Sequence, residues 1–459
     1  MGRWVVTPPV FFAALWGPTP FPSMQTLQTR DLVALGFLTF ALFLGAGNII
    51  FPPMVGLAAG ENLWSAALGF LLTGVGLPLL TVVALARVGG GMDAITAPLG
   101  RVGGILLGVA VYLTIGPLFA TPRTATVSFE MGLAPFMGHG AGALLVYTAS
   151  YFGLVMLLAL FPGKLMDNVG KMITPVLILA LAVLGGAAFL LPAGSMLPSA
   201  GDYQQAALAE GFTQGYQTMD ALGALVFGIV IVNAIKDTGV TDARLQTRYA
   251  IIAGMIAAVG LCLVYISLMY LGAHSGSMVP EASSGVQILT TYVQHTFGTA
   301  GMVLLAAVII LACLTTGVGL VSACAVYFSA LVPGSSYRGM VIALSLVSLL
   351  FANQGLEQLI TVAVPVLVAI YPMAIALVCL SLLSGIWKSA PRVFVPVMLV
   401  ALVFGLLNTV QTLGLSRWTP EWLDQLPGSA MGLGWLLPVA GTLLACAMLD
   451  RLQPVRARA

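Results

Sequence analysis

The first apolar stretch of the chain is interrupted by the sequence LGAGNIIFPP at residues 44–53. Its two glycines permit backbone angles that other residues resist, and its two prolines remove backbone donors and suit the first turn of a new helix. We therefore predict two half-helices, with free carbonyls near 41–44 and free amides near 46–48. The opposite partial charges of helix ends would suit a carboxylate at the amides and a bare cation at the carbonyls. A simple kink packed against a neighbouring helix is the alternative.

The composition of the whole chain indicates a lipid environment. Of the 459 residues, 59% are hydrophobic and 7% are charged, and the mean hydropathy is +1.05. So few charges cannot cover a water-soluble surface, and a net charge of +2 excludes a nucleic-acid binder, which needs clustered Lys and Arg. The five cysteines have no CxxC spacing and the three histidines are scattered, so no disulfide or metal set is predicted.

We predict that twelve apolar stretches cross the bilayer, a crossing that takes about 20 residues; the ninth, 338–353, is the shortest. With the N-terminus inside, fourteen Lys or Arg residues fall on the cytoplasmic side and two, Arg123 and Arg417, fall outside, as the positive-inside rule requires. We predict an all-α, polytopic membrane protein with both termini in the cytoplasm. The spans lie near 33–58, 64–86, 102–122, 141–161, 172–192, 215–235, 249–272, 297–331, 338–353, 361–384, 393–414 and 429–449.

A single transmembrane domain is predicted for residues 26–450. Residues 1–25 contain five prolines and are expected to form an extension that is disordered or lies upstream of the true start. Residues 451–459 read as a basic cytoplasmic tail. The loops 193–214 and 273–296 are predicted outside, and both are too short for a soluble domain.

A second candidate break lies in span six, where residues 215–228 read GYQTMDALGALVFG. Asp220 is the one acid between Glu210 and Asp237. A carboxylate at membrane depth costs on the order of 3 kcal/mol and usually marks an ion or substrate path, although a cap on the outer end of the helix would also explain it. Spans one and six begin the two halves of a five-plus-five arrangement, where an inverted repeat places its broken helices.

Two further polar features lie in apolar surroundings. Thr315 and Thr316 would offer hard oxygen ligands to a small cation, unless their hydroxyls bond back to their own helix. Arg123 and Glu130 are seven residues apart and share a face if their segment is helical. They would form an outer gate pair, or a solvated ion pair that holds a loop.

The runs at 45–53 (GAGNIIFPP), 122–130 (PRTATVSFE) and 218–222 (TMDAL) together resemble the bacterial branched-chain amino acid:cation symporter family. The resemblance extends over about residues 26–450. It implies sodium-driven import of leucine, isoleucine and valine across the bacterial inner membrane. It also implies the LeuT-type fold of the amino acid-polyamine-cation superfamily, with broken helices one and six. The repeats would span about 31–192 and 215–384, followed by two C-terminal helices over 393–449.

The resemblance also implies a substrate site and a sodium site. The amides of Ala46 and Gly47, in the motif that runs from Gly45 to Asn48, would hold the substrate carboxylate, and the Asn48 side chain would face an ion or the ammonium group. Asp220 has no clear counterpart in the wider fold. The expected sodium ligands are the carbonyls of Ala41, Leu44 and Ala312 and the hydroxyls of Thr315 and Thr316. The expected pocket for the branched side chain includes Leu222, Gly223, Val226 and Phe227.

Three other function classes remain open on sequence alone. A proton-coupled symporter would use Asp220 or Glu130 as its proton carrier. A channel would need a ring of charges or a repeated carbonyl filter, and a membrane-embedded enzyme would need paired acids, a His–Ser set or a metal cluster. We predict no enzyme activity and no cofactor other than sodium as the coupling ion. The expected partners are the amino acid, sodium and the lipid bilayer, with no nucleic acid and no obligate protein partner.

Overall fold

A computed structural model describes residues 27–161, 164–240 and 242–452. For residues 164–174 and Ser416 it describes the backbone alone. The predicted extension over 1–25 and the end of the predicted tail, from 453 on, lie outside the described residues. No described residue lies in a β-strand, so the predicted all-α class is confirmed for this part of the chain. The last helix continues to Leu452, past the predicted start of the tail.

Eighteen α-helices follow one another in the described residues. Short 3-10 turns and two π-helical turns connect several of them. The helices are α1 Thr29–Phe43, α2 Gly47–Ala59, α3 Leu63–Leu71, α4 Leu77–Val88, α5 Met92–Thr96, α6 Gly100–Leu113, α7 Ala120–Gly132, α8 Ala134–Met137, α9 Ala141–Leu160, α10 Lys164–Leu190, α11 Tyr203–Gln214, α12 Asp220–Asp237, α13 Ala243–Ala273, α14 Gly285–Leu331, α15 Tyr337–Ala352, α16 Leu356–Leu382, α17 Ala390–Thr412 and α18 Leu436–Leu452.

Seven helical segments are long and apolar enough to cross a membrane, and a bent pair makes an eighth. Large apolar side chains on their outer faces, such as Leu106, Val146 and Leu263, are more than 60% exposed, as expected for helices that face lipid. The count of twelve stays a prediction. The seven segments are Gly47–Val88, Met92–Gly132, Ala141–Leu160, Ala243–Ala273, Gly285–Leu331, Leu356–Leu382 and Ala390–Thr412, and the bent pair is Tyr203–Thr218 with Asp220–Asp237.

Two predicted outer loops contain helices. The loop predicted over 193–214 holds α11, so the segment that leads to Asp220 becomes helical at Tyr203 instead of 215. The loop predicted over 273–296 holds the first part of α14, which changes direction at Gly298 (φ 63°, ψ −161°). Both segments are more polar than a spanning helix, but their apolar positions bury one face, and tertiary packing stabilises a helix that composition alone does not indicate.

Helix α2 packs against α13 at backbone distance. A Cβ added to Gly56 would overlap the backbone of Met269, and a Cβ added to Gly272 would overlap the backbone of Pro53. The glycine that begins α14 contacts the backbone of α2 in the same way. Small residues permit such close approach between helices. These contacts hold the start of α2 at a defined position beside α13 and α14.

Helix α9 packs against both α7 and α14. The Tyr151 hydroxyl lies 2.9 Å from Thr124 Oγ1 of α7 and 2.6 Å from the carbonyl oxygen of Cys313 in α14. A Cβ added to Gly317 would lie 2.9 Å from the same hydroxyl and 3.1 Å from Thr124 Oγ1. This packing aligns the polar residues of α7 and α14 toward the start of α2.

Candidate functional site

A cavity lies where the gap between α1 and α2 faces α7, α12 and α14. The cavity volume, counted as the space that the centre of a water molecule can occupy, is about 50 Å³. One water molecule needs roughly 10–15 Å³ by the same measure. The cavity is lined by Leu42, Phe43, Gly45, Ala46, Gly47, Asn48, Ile115, Ala120, Arg123, Thr124, Thr218, Met219, Asp220, Gly223, Phe227, Thr316 and Leu320.

The gap between α1 and α2 exposes backbone groups to this cavity. α1 ends at Phe43 and α2 begins at Gly47, and no side chain caps α2. The Gly45 amide donates to Asn48 Oδ1 at 3.0 Å, and the Ile49 amide donates to the Ala46 carbonyl at 3.3 Å. The first amides of a helix have no acceptor within that helix and carry a partial positive charge. The amide end of α2 therefore offers donors to an anion.

A second helix start meets the same cavity. A 3-10 turn spans Gly215–Thr218, and α12 begins at Asp220, one residue after it. The helical segments Tyr203–Thr218 and Asp220–Asp237 meet at a bend of 46°. Met219 has φ 62° and is the one non-glycine residue with positive φ among the described residues. That conformation costs an L-residue about 1–2 kcal/mol, so the turn that orients Asp220 carries backbone strain that the surrounding packing must hold.

The Asp220 carboxyl group is buried, with 6% of the residue exposed. Its Oδ2 accepts hydrogen bonds from Asn48 Nδ2 at 2.7 Å and from the Tyr265 hydroxyl at 2.6 Å. Asn48 Nδ2 also donates to the Tyr265 hydroxyl. This triad links α2, α12 and α13 around one acidic group that lines the cavity.

Arg123 is also buried, with 2% of the residue exposed. Its Nη1 donates to the Gln217 carbonyl at 2.7 Å, and its guanidinium carbon lies 5.0 Å from the centre of the Phe51 ring. Nε and Nη2 have no hydrogen-bond partner among the described residues. Arg123 lies in the first turn of α7, Ala120–Gly132, and is buried beside the cavity rather than solvated in a loop; its predicted outer position stays a prediction.

The predicted gate pair does not form in this structure. Glu130 Oε2 lies 2.9 Å from His139 Nδ1, and no Glu130 oxygen lies within 4.0 Å of an Arg123 nitrogen. Arg123 instead bonds to the backbone beside α12. Arg123 and Glu130 are seven residues apart, which places side chains on one face of a helix. In the structure, however, Arg123 lines the cavity, whereas Glu130 lies beside the exposed His139.

The hydroxyls predicted as sodium ligands bond back to their own helix. Thr315 Oγ1 and Thr316 Oγ1 donate to the Ala312 carbonyl at 2.9 and 3.0 Å. A donating hydroxyl keeps acceptor lone pairs, so this contact does not exclude a cation. Thr316 lines the cavity beside Gly45, where an added Cβ would lie 3.8 Å from Thr316 Cγ2. Thr315 and the Ala312 carbonyl lie outside the cavity lining.

The cavity collects some of the residues chosen from sequence and leaves others out. Within α12, the positions 220, 223 and 227 recur at helical spacing and share one face, whereas Leu222 and Val226 are buried against other helices. The chosen residues that line it are Gly45, Ala46, Gly47, Asn48, Arg123, Asp220, Gly223, Phe227 and Thr316, and those that do not are Ala41, Leu44, Glu130, Leu222, Val226, Ala312 and Thr315.

Sequence reasoning missed two residues that act on the polar groups of the cavity. Tyr265 lies in the middle of the apolar helix α13 and is fully buried. A buried tyrosine hydroxyl usually finds a partner, and this was an available signal. Gln217 contributes its backbone carbonyl to Arg123, and no sequence signal marks such a role. Among the described residues, no group of three or more His, Cys, Asp or Glu could hold a metal ion.

Comparison with known proteins gives consistent similarities. Residues 28–453 match the family model described as "Branched-chain amino acid transport protein". The chain is 62% identical to the branched-chain amino acid transport system 2 carrier protein of Pseudomonas aeruginosa, covering 94% of this chain and 98% of that protein. It is 53% identical to the branched-chain amino acid permease BrnQ of Escherichia coli K12, covering 93% and 97%.

One similar solved structure is that of MhsT in complex with L-phenylalanine. The TM-score is 0.58 at 15% sequence identity, and the match covers 94% of this chain and 100% of that one. At this identity the likeness shows the fold alone, and it is the LeuT-type fold that the sequence motifs implied.

Proposed function

The chain belongs to the branched-chain amino acid transport protein family, and on that premise we propose that it imports leucine, isoleucine and valine across the bacterial inner membrane as a sodium symporter. Its relatives are named as carriers and permeases, so it is a transport protein and not an enzyme. The amino acid and sodium would bind together from outside and be released inside by alternating access, because a ligand shifts an equilibrium toward the state it binds better.

The observation that carries the proposal is the pair of helix starts at one buried cavity. The amides of Ala46 and Gly47 present donors without an acceptor in their own helix, which suits a carboxylate. Asp220 presents an acidic group from α12 to the same space, which suits an ammonium group. Gly223 and Phe227 line the cavity beyond it and would accommodate the branched side chain. An apolar pocket ranks chain lengths weakly, by about 1–3 kcal/mol per methylene, so the three substrates should compete.

The sodium ion would bind between the end of α1 and α14. The proposed ligands are the carbonyls of Ala41, Leu44 and Ala312 and the hydroxyls of Thr315 and Thr316. Small hard cations prefer such oxygen ligands. Thr316 and Gly45 line the same cavity, which supports this position, because an ion there would join the end of α1 to α14.

The proposed topology is twelve spans with both termini in the cytoplasm. α1 with α2 would form broken span one, and α11 with α12 would form broken span six. The interrupted backbone at Leu44–Ala46 and at Met219 supports this pairing, since unpaired peptide groups at membrane depth are tolerated only where they line a cavity. The two repeats would then place their breaks opposite each other around the substrate.

Coupling to protons is the second candidate. Asp220 favours it, because this acid is buried in the cavity and can exchange a proton with an ammonium substrate or with water. Glu130 is a weaker carrier, since it lies beside His139 and outside the cavity lining.

The deciding experiment is leucine uptake into proteoliposomes that contain the purified protein. An inward sodium gradient at equal pH on both sides should drive accumulation, and a proton gradient in the absence of sodium should not. Accumulation with the proton gradient alone would overturn sodium coupling and favour Asp220 as the carrier. Absence of leucine uptake under both gradients would overturn the proposed substrate class.

A further inference from the structure

The guanidinium of Arg123 is a buried cation with most of its donors unused. One of its three nitrogens, Nη1, is bonded to a backbone carbonyl, whereas Nε and Nη2 have no partner in the described residues. No carboxylate lies within 4.0 Å of it in the part of the chain that the structure describes. A buried charge without a partner is strongly unfavourable. The residue also lines the cavity, and Nε and Nη2 are themselves buried, so a ligand must enter the cavity to contact them.

The neighbours of Arg123 in the described residues stabilise its charge only in part, through the Gln217 carbonyl and the face of the Phe51 ring. A Cβ added to Gly47 would lie 3.4 Å from Arg123 Nη1, so the guanidinium lies beside the amide end of α2, which carries a partial positive charge. On its other side lies the Phe51 ring. A guanidinium and a helix start thus converge on one region of the cavity, and the protein supplies no anion there among the described residues.

The acidic group of the cavity lies elsewhere. Asp220 is bonded to Asn48 and Tyr265 and is farther than 4.0 Å from the Arg123 nitrogens. The cavity therefore holds one cationic and one acidic group that do not neutralise each other. A zwitterion of matching length would satisfy both at once.

We propose that Arg123 is a substrate-binding residue, whose free Nε–Nη2 edge takes the α-carboxylate of the amino acid while Asp220 takes its ammonium group. This rests on the proposed function and changes the role of Arg123 from an outer gate to an anchor inside the site. The planar edge of a guanidinium matches the two oxygens of a carboxylate, which a lysine ammonium cannot do. The site then selects α-amino acids over amines and over acids that share the same branched side chain.

The test is equilibrium binding to the purified full-length protein at saturating sodium, by isothermal titration calorimetry. The probes are leucine and leucinamide, in which a neutral amide replaces the carboxylate. The wild type should bind leucinamide at least about 30-fold more weakly than leucine, as for loss of one partner of a buried charge pair. Arg123→Gln should weaken leucine binding by a similar factor and leave leucinamide binding nearly unchanged, so that the discrimination is lost. Arg123→Lys should keep the charge and recover only part of the discrimination.

The control variant is Arg417→Gln, which makes the same chemical change at an exposed arginine that lies 5.7 Å from the ring of Trp418. It should bind both probes like the wild type. If Arg123→Gln does not yield folded protein, the ratio of leucine to leucinamide affinity is compared between the wild type and Arg123→Lys. An equal ratio in these two proteins would overturn the proposal.

Three results would overturn the proposal. Unchanged discrimination in Arg123→Gln with a slower uptake rate would make the residue a gate. An equal loss of affinity for both probes would make it structural. Absence of leucine binding to the wild type would remove the proposed substrate and this inference with it. Unchanged leucine affinity and discrimination when the wild-type titration is repeated without sodium would overturn sodium coupling alone.

Discussion

Replacing Gly223 by alanine separates the size of the substrate pocket from the stability of the protein. Gly223 lies in the first turn of α12, on the same face as Asp220 and Phe227, and lines the cavity. A Cβ at this position meets no atom within 4 Å. The new methyl group would therefore enter the cavity without disturbing the packing of α12.

The structure predicts opposite effects on stability and on binding. Alanine is more favourable than glycine inside a helix by about 0.5–1 kcal/mol, so the unfolding temperature of Gly223→Ala should stay the same or rise. One methyl group too many in a filled pocket costs about 1–3 kcal/mol, which corresponds to a loss of roughly 5- to 160-fold in leucine affinity. Valine has one methylene fewer than leucine and should lose less, so the preference should shift toward valine.

The assay is competition of valine and isoleucine with radiolabelled leucine uptake, together with thermal unfolding of the purified variant. The control is Gly153→Ala on α9, where an added Cβ likewise meets nothing within 4 Å and the position is exposed. Its uptake should match that of the wild type. Unchanged leucine uptake and unchanged competition in Gly223→Ala would refute the assignment of this cavity to the substrate, and a fall in unfolding temperature would refute the packing argument.

Three other variants test separate parts of the site. Thr316→Ala should raise the sodium concentration for half-maximal leucine uptake more than Thr315→Ala does, because Thr316 alone of the two lines the cavity; identical sodium dependence in both variants and the wild type would remove these hydroxyls from the ion site. Tyr265→Phe removes a buried donor to Asp220 and should lower the free energy of unfolding by about 1.5–3 kcal/mol, seen as a lower thermal midpoint; an unchanged midpoint would contradict the importance of this bond. Gly272→Ala should cost about 1–3 kcal/mol, because the methyl group overlaps the backbone of α2, and a variant as heat-stable as the wild type would show that the two helices can separate without penalty.

Features that depend on one segment of chain were accessible without coordinates. The apolar lengths indicate membrane helices because the bilayer sets a minimum length for any spanning element. The glycines at 45 and 47 mark the place where α1 ends and α2 begins, since backbone freedom is a local property, whereas the two prolines lie inside α2, after its first turn. Asp220 was conspicuous because a lone acid in an apolar segment is costly.

The sequence predicts that Arg123 and Glu130 form an outer gate pair, since both residues lie in a polar segment interrupted by prolines. In the structure a new helix, α7, begins at Ala120 within this segment, and Arg123 lines the cavity. Sequence reasoning also treated two outer segments as loops, because their composition is polar, whereas burial of one apolar face makes them helical. These differences come from tertiary contacts that stabilise a conformation against local preference.

The amino-acid sequence by itself determined that this protein is a helical membrane transporter, which backbone segments lack regular hydrogen bonds, and which acid lies among them. Only the tertiary structure decided that Asp220 meets Asn48 across 172 positions of chain and Tyr265 across 45, and that Arg123 shares their cavity without an ionic partner among the described residues. The physical reason is that hydrophobicity and backbone freedom belong to each residue. The rotation and spacing of packed helices, by contrast, belong to the whole set of contacts.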